Sequence, residues 1–290
     1  MKRIIHLILI ACLSLGAWSC SEDKLDPVSR IVDSQTEQNE FDEWLAKNYV
    51  APYNIELKYL MEDIELDMNN YVAPADFRKA QQMARLVLFL AIDPYNDLTG
   101  GTDFIRAYFP KLIHLVGSAA YRNNGTMLLG TAEGGVKITL FYINALDFDP
   151  AFLNRYYFKT IHHEFTHILN QTKPYSPDFE MISGSDYVAD TWNTAFSETT
   201  CLQAGFITPY ASSEPGEDFA ELVSVYITRS AAKWNEMMTT AGAAGAATIA
   251  TKMDIVRDYM LNSWSIDLDD MRANLSAREA QIPSLGLNNL

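Results

Sequence analysis

One pentapeptide constrains this chain more than any other stretch: His163-Glu164-Phe165-Thr166-His167. Two histidines four residues apart project from one face of a helix, so their rings can close on a single ion. The flanking sequence supplies that helix, because Phe152, Tyr156, Phe158, Ile161, Phe165, Ile168 and Leu169 recur at helical spacing between Phe152 and Asn170. Glu164 points to the side of the histidine pair, where it can reach water at the ion without taking the ion's last open position. The chain has five histidines, and three of them stand at 162, 163 and 167, whereas scattered core histidines would have no reason to collect there. His162 is offset from the ligand face, and surface or supporting hydrogen bonding is expected of it.

Zinc suits the arrangement. Neutral imidazole nitrogens bind it well, and it tolerates three protein ligands plus water. It makes that water a usable nucleophile and polarises a carbonyl, while Glu164 can accept the water proton and deliver it to a leaving amine. A third ligand is required. Lys173 occupies the position where the extended HExxHxxGxxH pattern places a histidine, and Asn170 replaces its glycine. Asp186 and Asp190 follow after a loop. Their rival is Glu217, in the run Glu217-Asp218-Phe219-Ala220-Glu221 at the start of another apolar-periodic segment. Glu217 and Glu221 share a helix face, so one can bind the ion while the other hydrogen-bonds a ligand histidine.

The N-terminus reads as an export signal. Lys2 and Arg3 precede the apolar run Ile4 to Leu15, which is too short to favour a membrane span. Leu15-Gly16-Ala17-Trp18-Ser19-Cys20 resembles a lipoprotein signal, cut before a cysteine whose thiol then carries diacylglycerol, and Ser21, Glu22 and Asp23 look like an export tag to the outer face of the outer membrane. Residues 1–19 are therefore expected to be signal peptide, 20–37 a lipidated tether, and 38–290 the folded body, with a smaller helical N-terminal part. Of three cysteines, Cys12 leaves with the signal and Cys20 is acylated, so Cys201 has no partner for an intrachain disulfide. The formal charge of −15 argues against a surface for nucleic-acid phosphates. Nothing requires an oligomer, and a monomer is expected.

Along the body, Pro74 to Ile92 is predicted to be a helix opened by Pro74 and closed by the Asp93-Pro94 turn. Lys111 to Ser118, Gly125 to Gly130 and Val136 to Tyr142 read as short strands of an antiparallel sheet, with Val136 to Tyr142 the candidate for pairing with an extended peptide. Ala189 to Ala204, Gly216 to Ser230 and Thr248 to Asn262 read as helices, with the Ala/Gly run Thr240 to Ala247 a flexible connection.

Residues 162–171, HHEFTHILNQ, together with EDFAE at 217–221 and the lipoprotein start, resemble the zinc-binding metallopeptidase lipoproteins of the Bacteroidota, which accompany outer-membrane nutrient importers. The same two motifs resemble the catalytic domain of anthrax lethal factor. The resemblance implies an α+β, zincin-like fold with an HExxH helix, a second glutamate-bearing helix and a small antiparallel or mixed sheet. It implies one catalytic zinc on His163, His167 and Glu217, with Glu164 as base and Glu221 as the supporting carboxylate. Tyr210, seven residues before Glu217, matches a tyrosine that assists the reaction. The implied substrate is a peptide or glycopeptide, the implied partner an outer-membrane nutrient importer, and the implied location the cell surface through Cys20. Two other functions fit the same residues: hydrolysis of another amide in a glycan or peptidoglycan fragment, and a zinc-stabilised binding lipoprotein without turnover.

Overall fold

In a computed structural model of the chain, residues 38–62, 65, 71–121, 125, 127–128, 130–133 and 136–289 are described. The expected signal peptide, the tether to residue 37 and Cys20 lie outside the described residues. A mixed four-stranded sheet forms one layer. Its strands are β1 (Glu56–Lys58), β2 (Leu112–Leu115), β5 (Gly130–Glu133) and β6 (Lys137–Leu140), in the order β1-β2-β6-β5. β2 runs parallel to β1 and β6, and β5 runs antiparallel to β6. A separate antiparallel pair joins β3 (Ala120–Tyr121) to β4 (Met127–Leu128).

The strand period of two sorts the side chains. Leu57, Ile113, Ile138, Leu115 and Leu140 align across the register and are buried in the main core. Lys58 and Lys137, on the alternate positions, share Glu65 at 2.8 and 3.4 Å. Val136 to Tyr142, the expected candidate for pairing with an extended peptide, offers no free edge. All four residues of β6 are buried between β2 and β5, and β5 is the outer strand on that side.

Helices cover the sheet, the first being α1 (Glu40–Leu45). Asp76, not Pro74, opens α2 (Phe77–Val87), its carboxylate accepting from Lys79 N at 3.0 Å. Asp93-Pro94 does not close it. The chain passes through a wider turn at Leu88–Ile92 into α3 (Asp93–Thr99), where Pro94 sits in the first turn and its missing N–H leaves no bond unmade. Gly100, at φ 77°, ends that helix. After α4 (Asp103–Tyr108), Asp149 and Pro150 start the turns that lead into α5 (Lys159–Thr172), which stops at extended Lys173 before Pro174. Phe165 anchors α5, meeting Tyr95 and Phe109 at 5.0 Å and Phe104 at 5.7 Å between ring centroids.

α6 (Asp178–Ser183) follows. The expected helix Ala189 to Ala204 is broken: Phe196 is extended, and Ser197 caps a new helix, α7 (Glu198–Gln203), through Thr200 N at 3.1 Å. α8 (Pro215–Thr228) is buried along every residue from Asp218 to Thr228 and packs against α5, α9 (Ala231–Trp264) and α10 (Leu268–Glu279). A helix buried nearly all round belongs at the centre, and α8 is there.

The Ala/Gly run 240–247 does join two helices, but the connection is narrower than expected: α9 is helical on both sides of Gly242, whose non-helical φ of 67° and ψ of −178° make a kink between them. Its small residues allow close packing on α7: a Cβ on Gly245 would fall 2.2 Å from Leu202 O and 2.9 Å from Gln203 O. Glu40 to Leu290 form one compact unit, and among the described residues no helix is long and apolar enough to cross a membrane. Gly245→Val is expected to lower stability by about 1–3 kcal/mol, because the obstacle is backbone that cannot swing aside. Urea denaturation would reveal this as a lower midpoint, whereas an unchanged midpoint would mean that α7 and α9 do not approach this closely.

Candidate metal centre

Packing of α5 on α8 brings the third ligand to the histidine pair. His163 Nε2 lies 2.8 Å and His167 Nε2 3.2 Å from Glu217 Oε2, and the two Nε2 atoms are 3.1 Å apart. One ligand atom from each of the three residues lies within 4.8 Å of the others, and this is the group of His, Cys, Asp and Glu side chains among the described residues that could hold a metal ion. Ligand atoms about 2.0–2.1 Å from a tetrahedral zinc stand roughly 3.3 Å apart, so the donor set and its spacing fit the ion. Lone pairs cannot face one another at such distances without a cation or a proton between them.

Electrostatics around the set lead to the same requirement. Burial alone would lower the His163 pKa, but Glu217 and Glu221 outweigh it and raise it to about 9. For Glu217, burial opposes ionisation, yet the hydrogen bonds to His163 and His167 hold its carboxyl far below the usual range. Below Glu217 in the helix, Glu221 is fully buried and lies 2.8 Å from His163 Nδ1. Its other oxygen accepts from Thr208 Oγ1 at 2.6 Å, and Lys159 Nζ contacts the first. Burial works against this carboxylate too, but Lys159 and His163 keep it at about 2.

A cleft of about 180 Å³ opens at the site, with Glu164, Lys159, His163, Glu221, Trp192 and Tyr210 among its lining residues. Burial raises the Glu164 carboxyl above its ordinary value, with His163 and His167 acting the other way. That is the direction a general base working near neutral pH requires. Tyr210 heads a single turn, Tyr210–Ser212, and its ring lies 6.0 Å from that of His163 and 5.1 Å, edge-on, from Trp192. Asp186 and Asp190, the other ligand candidates, are exposed and outside the cluster.

His162 departs from expectation. It is fully buried, neither on the surface nor at the metal set, with Nδ1 3.0 Å from Tyr95 OH, and burial pushes its pKa down to about 4. Cys201 is buried, and burial drives its thiol up to about 12, which removes it as a nucleophile. Lys159, Thr208 and Trp192 were not singled out by pattern as site residues. Lys159 carried a signal, since it precedes His163 by four residues and so shares its face. Thr208 and Trp192 carried none, because loops bring them in.

A family profile described as "Putative zinc-binding metallo-peptidase" matches residues 34–269. A crystal structure under the same description, from Bacteroides caccae, is 43% identical, covers 89% of this chain and 98% of its own, and superposes with a TM-score of 0.77. No curated protein matches the chain.

Because His163 is protonated up to about pH 9 without metal, ion binding must displace that proton. Apparent zinc affinity is expected to rise by about tenfold per pH unit between pH 6 and 8. Competition with a chromophoric chelator measures it, and a flat profile would show that His163 carries no proton to lose.

Proposed function

This chain belongs to the zinc-binding metallo-peptidase family, and we propose that it cleaves peptide bonds at the His163, His167 and Glu217 centre with Glu164 as general base. The observation that carries this reading is the convergence of three ligand atoms within 4.8 Å beside a cleft that Glu164 also lines. When bound, zinc supplies a Lewis acid that polarises a carbonyl and renders water nucleophilic near neutral pH. Glu164 takes the proton of the attacking water and returns it to the leaving amine. Tyr210 donates a hydrogen bond from its phenol to the carbonyl oxygen as negative charge develops. Glu221, held by Thr208 and Lys159, lies 2.8 Å from His163 Nδ1, where its charge favours the tautomer that presents Nε2.

The substrate is a peptide or glycopeptide bound extended along the outer edge of β5, whose first residue, Gly130, lines the cleft. A Cβ on Gly130 would come within 2.8 Å of Thr160 Cγ2 on α5, so strand and metal helix are in contact here. The likeness of the two site motifs to the anthrax lethal factor catalytic domain supports the roles given to Tyr210 and Glu221. The segment Leu15 to Cys20 and the acids after it support a lipoprotein on the outer face of the outer membrane, and the resemblance to the Bacteroidota lipoproteins supports a place beside a nutrient importer.

Purified mature protein offered a diverse peptide library is expected to show a cleavage that chelation abolishes and zinc restores. Glu164→Gln should keep the metal and lose about 10²–10⁴-fold in kcat, since the amide has the shape of the carboxylate without its basicity. Tyr210→Phe should keep the metal and lose about 10²-fold. Equal turnover by wild type and Glu164→Gln would defeat the mechanism, and bound zinc without cleavage would move the function to binding. For the anchor, labelled fatty acid is expected in the native protein and not in Cys20→Ala; an unlabelled native product would reject it.

A further inference from the structure

Directly behind the metal centre lies a polar contact that the proposed reaction does not use. Lys252, on α9, is fully buried, and its ammonium donates to Asp218 Oδ2 at 2.6 Å and to Gly205 O at 2.9 Å. It also lies 4.2 Å from the centre of the Phe206 ring. Asp218 is fully buried and immediately follows the ligand Glu217 in α8. The same Oδ2 accepts from Tyr187 OH at 3.0 Å, while Oδ1 has no hydrogen-bond partner among the described residues.

Each contact leads to a different wall of the cleft. Gly205 opens the segment that carries Thr208, the donor to Glu221, and Tyr210. Tyr187 opens the segment that carries Trp192, and that segment is tied to the Tyr210 turn by Val188 N to Ser212 O at 2.8 Å and Ala189 N to Ser213 O at 3.1 Å. Asp218 itself is about 100° around the α8 axis from Glu217. Holding Asp218 against Lys252 therefore limits rotation of α8. A carboxylate oxygen about 6 Å from the axis moves roughly 1 Å for each 10° of rotation, and a metal set tolerates about half that.

Taking both charges out of water is costly, and well-packed apolar residues commonly replace a buried pair without loss of stability. What apolar replacements cannot reproduce is direction. Resting on the reading that His163, His167 and Glu217 hold a metal ion, we propose that the buried Lys252–Asp218 pair is a positioning device. It sets the rotation of α8 that aims Glu217 at the two histidines, and it locks the Tyr210 and Trp192 segments to that setting.

Cobalt(II) substitution gives a readout independent of turnover, because its visible absorption reports coordination geometry. Lys252→Met/Asp218→Asn removes both charges and preserves shape. It is expected to fold, to alter the cobalt spectrum, to weaken zinc by about tenfold or more, and to lower kcat by about tenfold, with KM little changed because the amide oxygen at position 218 still accepts from Tyr187. A folded double variant with the wild-type cobalt spectrum and kcat would overturn the proposal and leave the pair merely structural. Tyr187→Phe deletes one hydroxyl and leaves the pair, so it tests the coupling even if the double variant does not fold. It is expected to keep the cobalt spectrum and to raise KM several-fold through the Trp192 wall, and an unchanged KM would overturn the coupling. Wild-type protein that binds neither zinc nor cobalt would instead refute the metal reading on which the proposal rests.

Discussion

Two imidazole nitrogens and a carboxylate oxygen must be held about 3 Å apart, and they come from helices separated by some fifty residues of chain. One part of this requirement is local. His163 and His167 share a face of α5 by periodicity, and Phe165 between them is driven into an aromatic cluster that fixes how the helix is turned. The other part is packing. Glu217 reaches the pair because α8 is buried along nearly its whole length, with α5 on one side and α9 and α10 on others. A helix confined on all sides cannot tilt without opening cavities, so packing density supplies the precision that coordination needs.

Charge balance follows from the same geometry. Glu164, Glu217 and Glu221 lie within one small region that burial makes hostile to ions. Each is accommodated differently. Glu217 faces the imidazoles, Glu221 is held by His163, Lys159 and Thr208, and Glu164 is left facing the cleft with its carboxyl raised by burial. The two carboxylates with fixed partners hold position, while the one beside open space is able to exchange protons. A divalent cation among them completes the neutralisation that His163 alone provides by remaining protonated.

The helical part of the site was legible because it is periodic and local. The HExxH spacing placed His163, Glu164 and His167 without any tertiary information, and the apolar run that follows Glu217 marked a second helix. Patterns misled where backbone detail overrides composition. Ala and Gly at 240–247 suggested a flexible connection throughout, but only Gly242 breaks the helix, and the small residues around it let α9 press against α7 at Gly245. His162 suggested a polar environment, yet it is a core residue bonded to Tyr95. Val136 to Tyr142 looked free to pair with a peptide because a strand's own sequence does not reveal how many neighbours it has.

Local sequence alone therefore determined the metal chemistry: two imidazoles at helical spacing with a carboxylate beside them, in a chain whose body has no cysteine pair. Tertiary structure decided which carboxylate completes the set, which strand presents an edge to the cleft, and which residues brace the site from behind. On residue pattern Asp186 and Asp190 stood beside Glu217 as candidates, and the motif resemblance already favoured Glu217; the packing of α5 on α8 brings Glu217, and neither aspartate, within reach. Lys252 and Asp218 gave no signal at all, being thirty-four positions apart on different helices. Helical periodicity governs neighbours three or four residues apart, whereas contacts across the core depend on how whole elements pack, which no short-range pattern encodes.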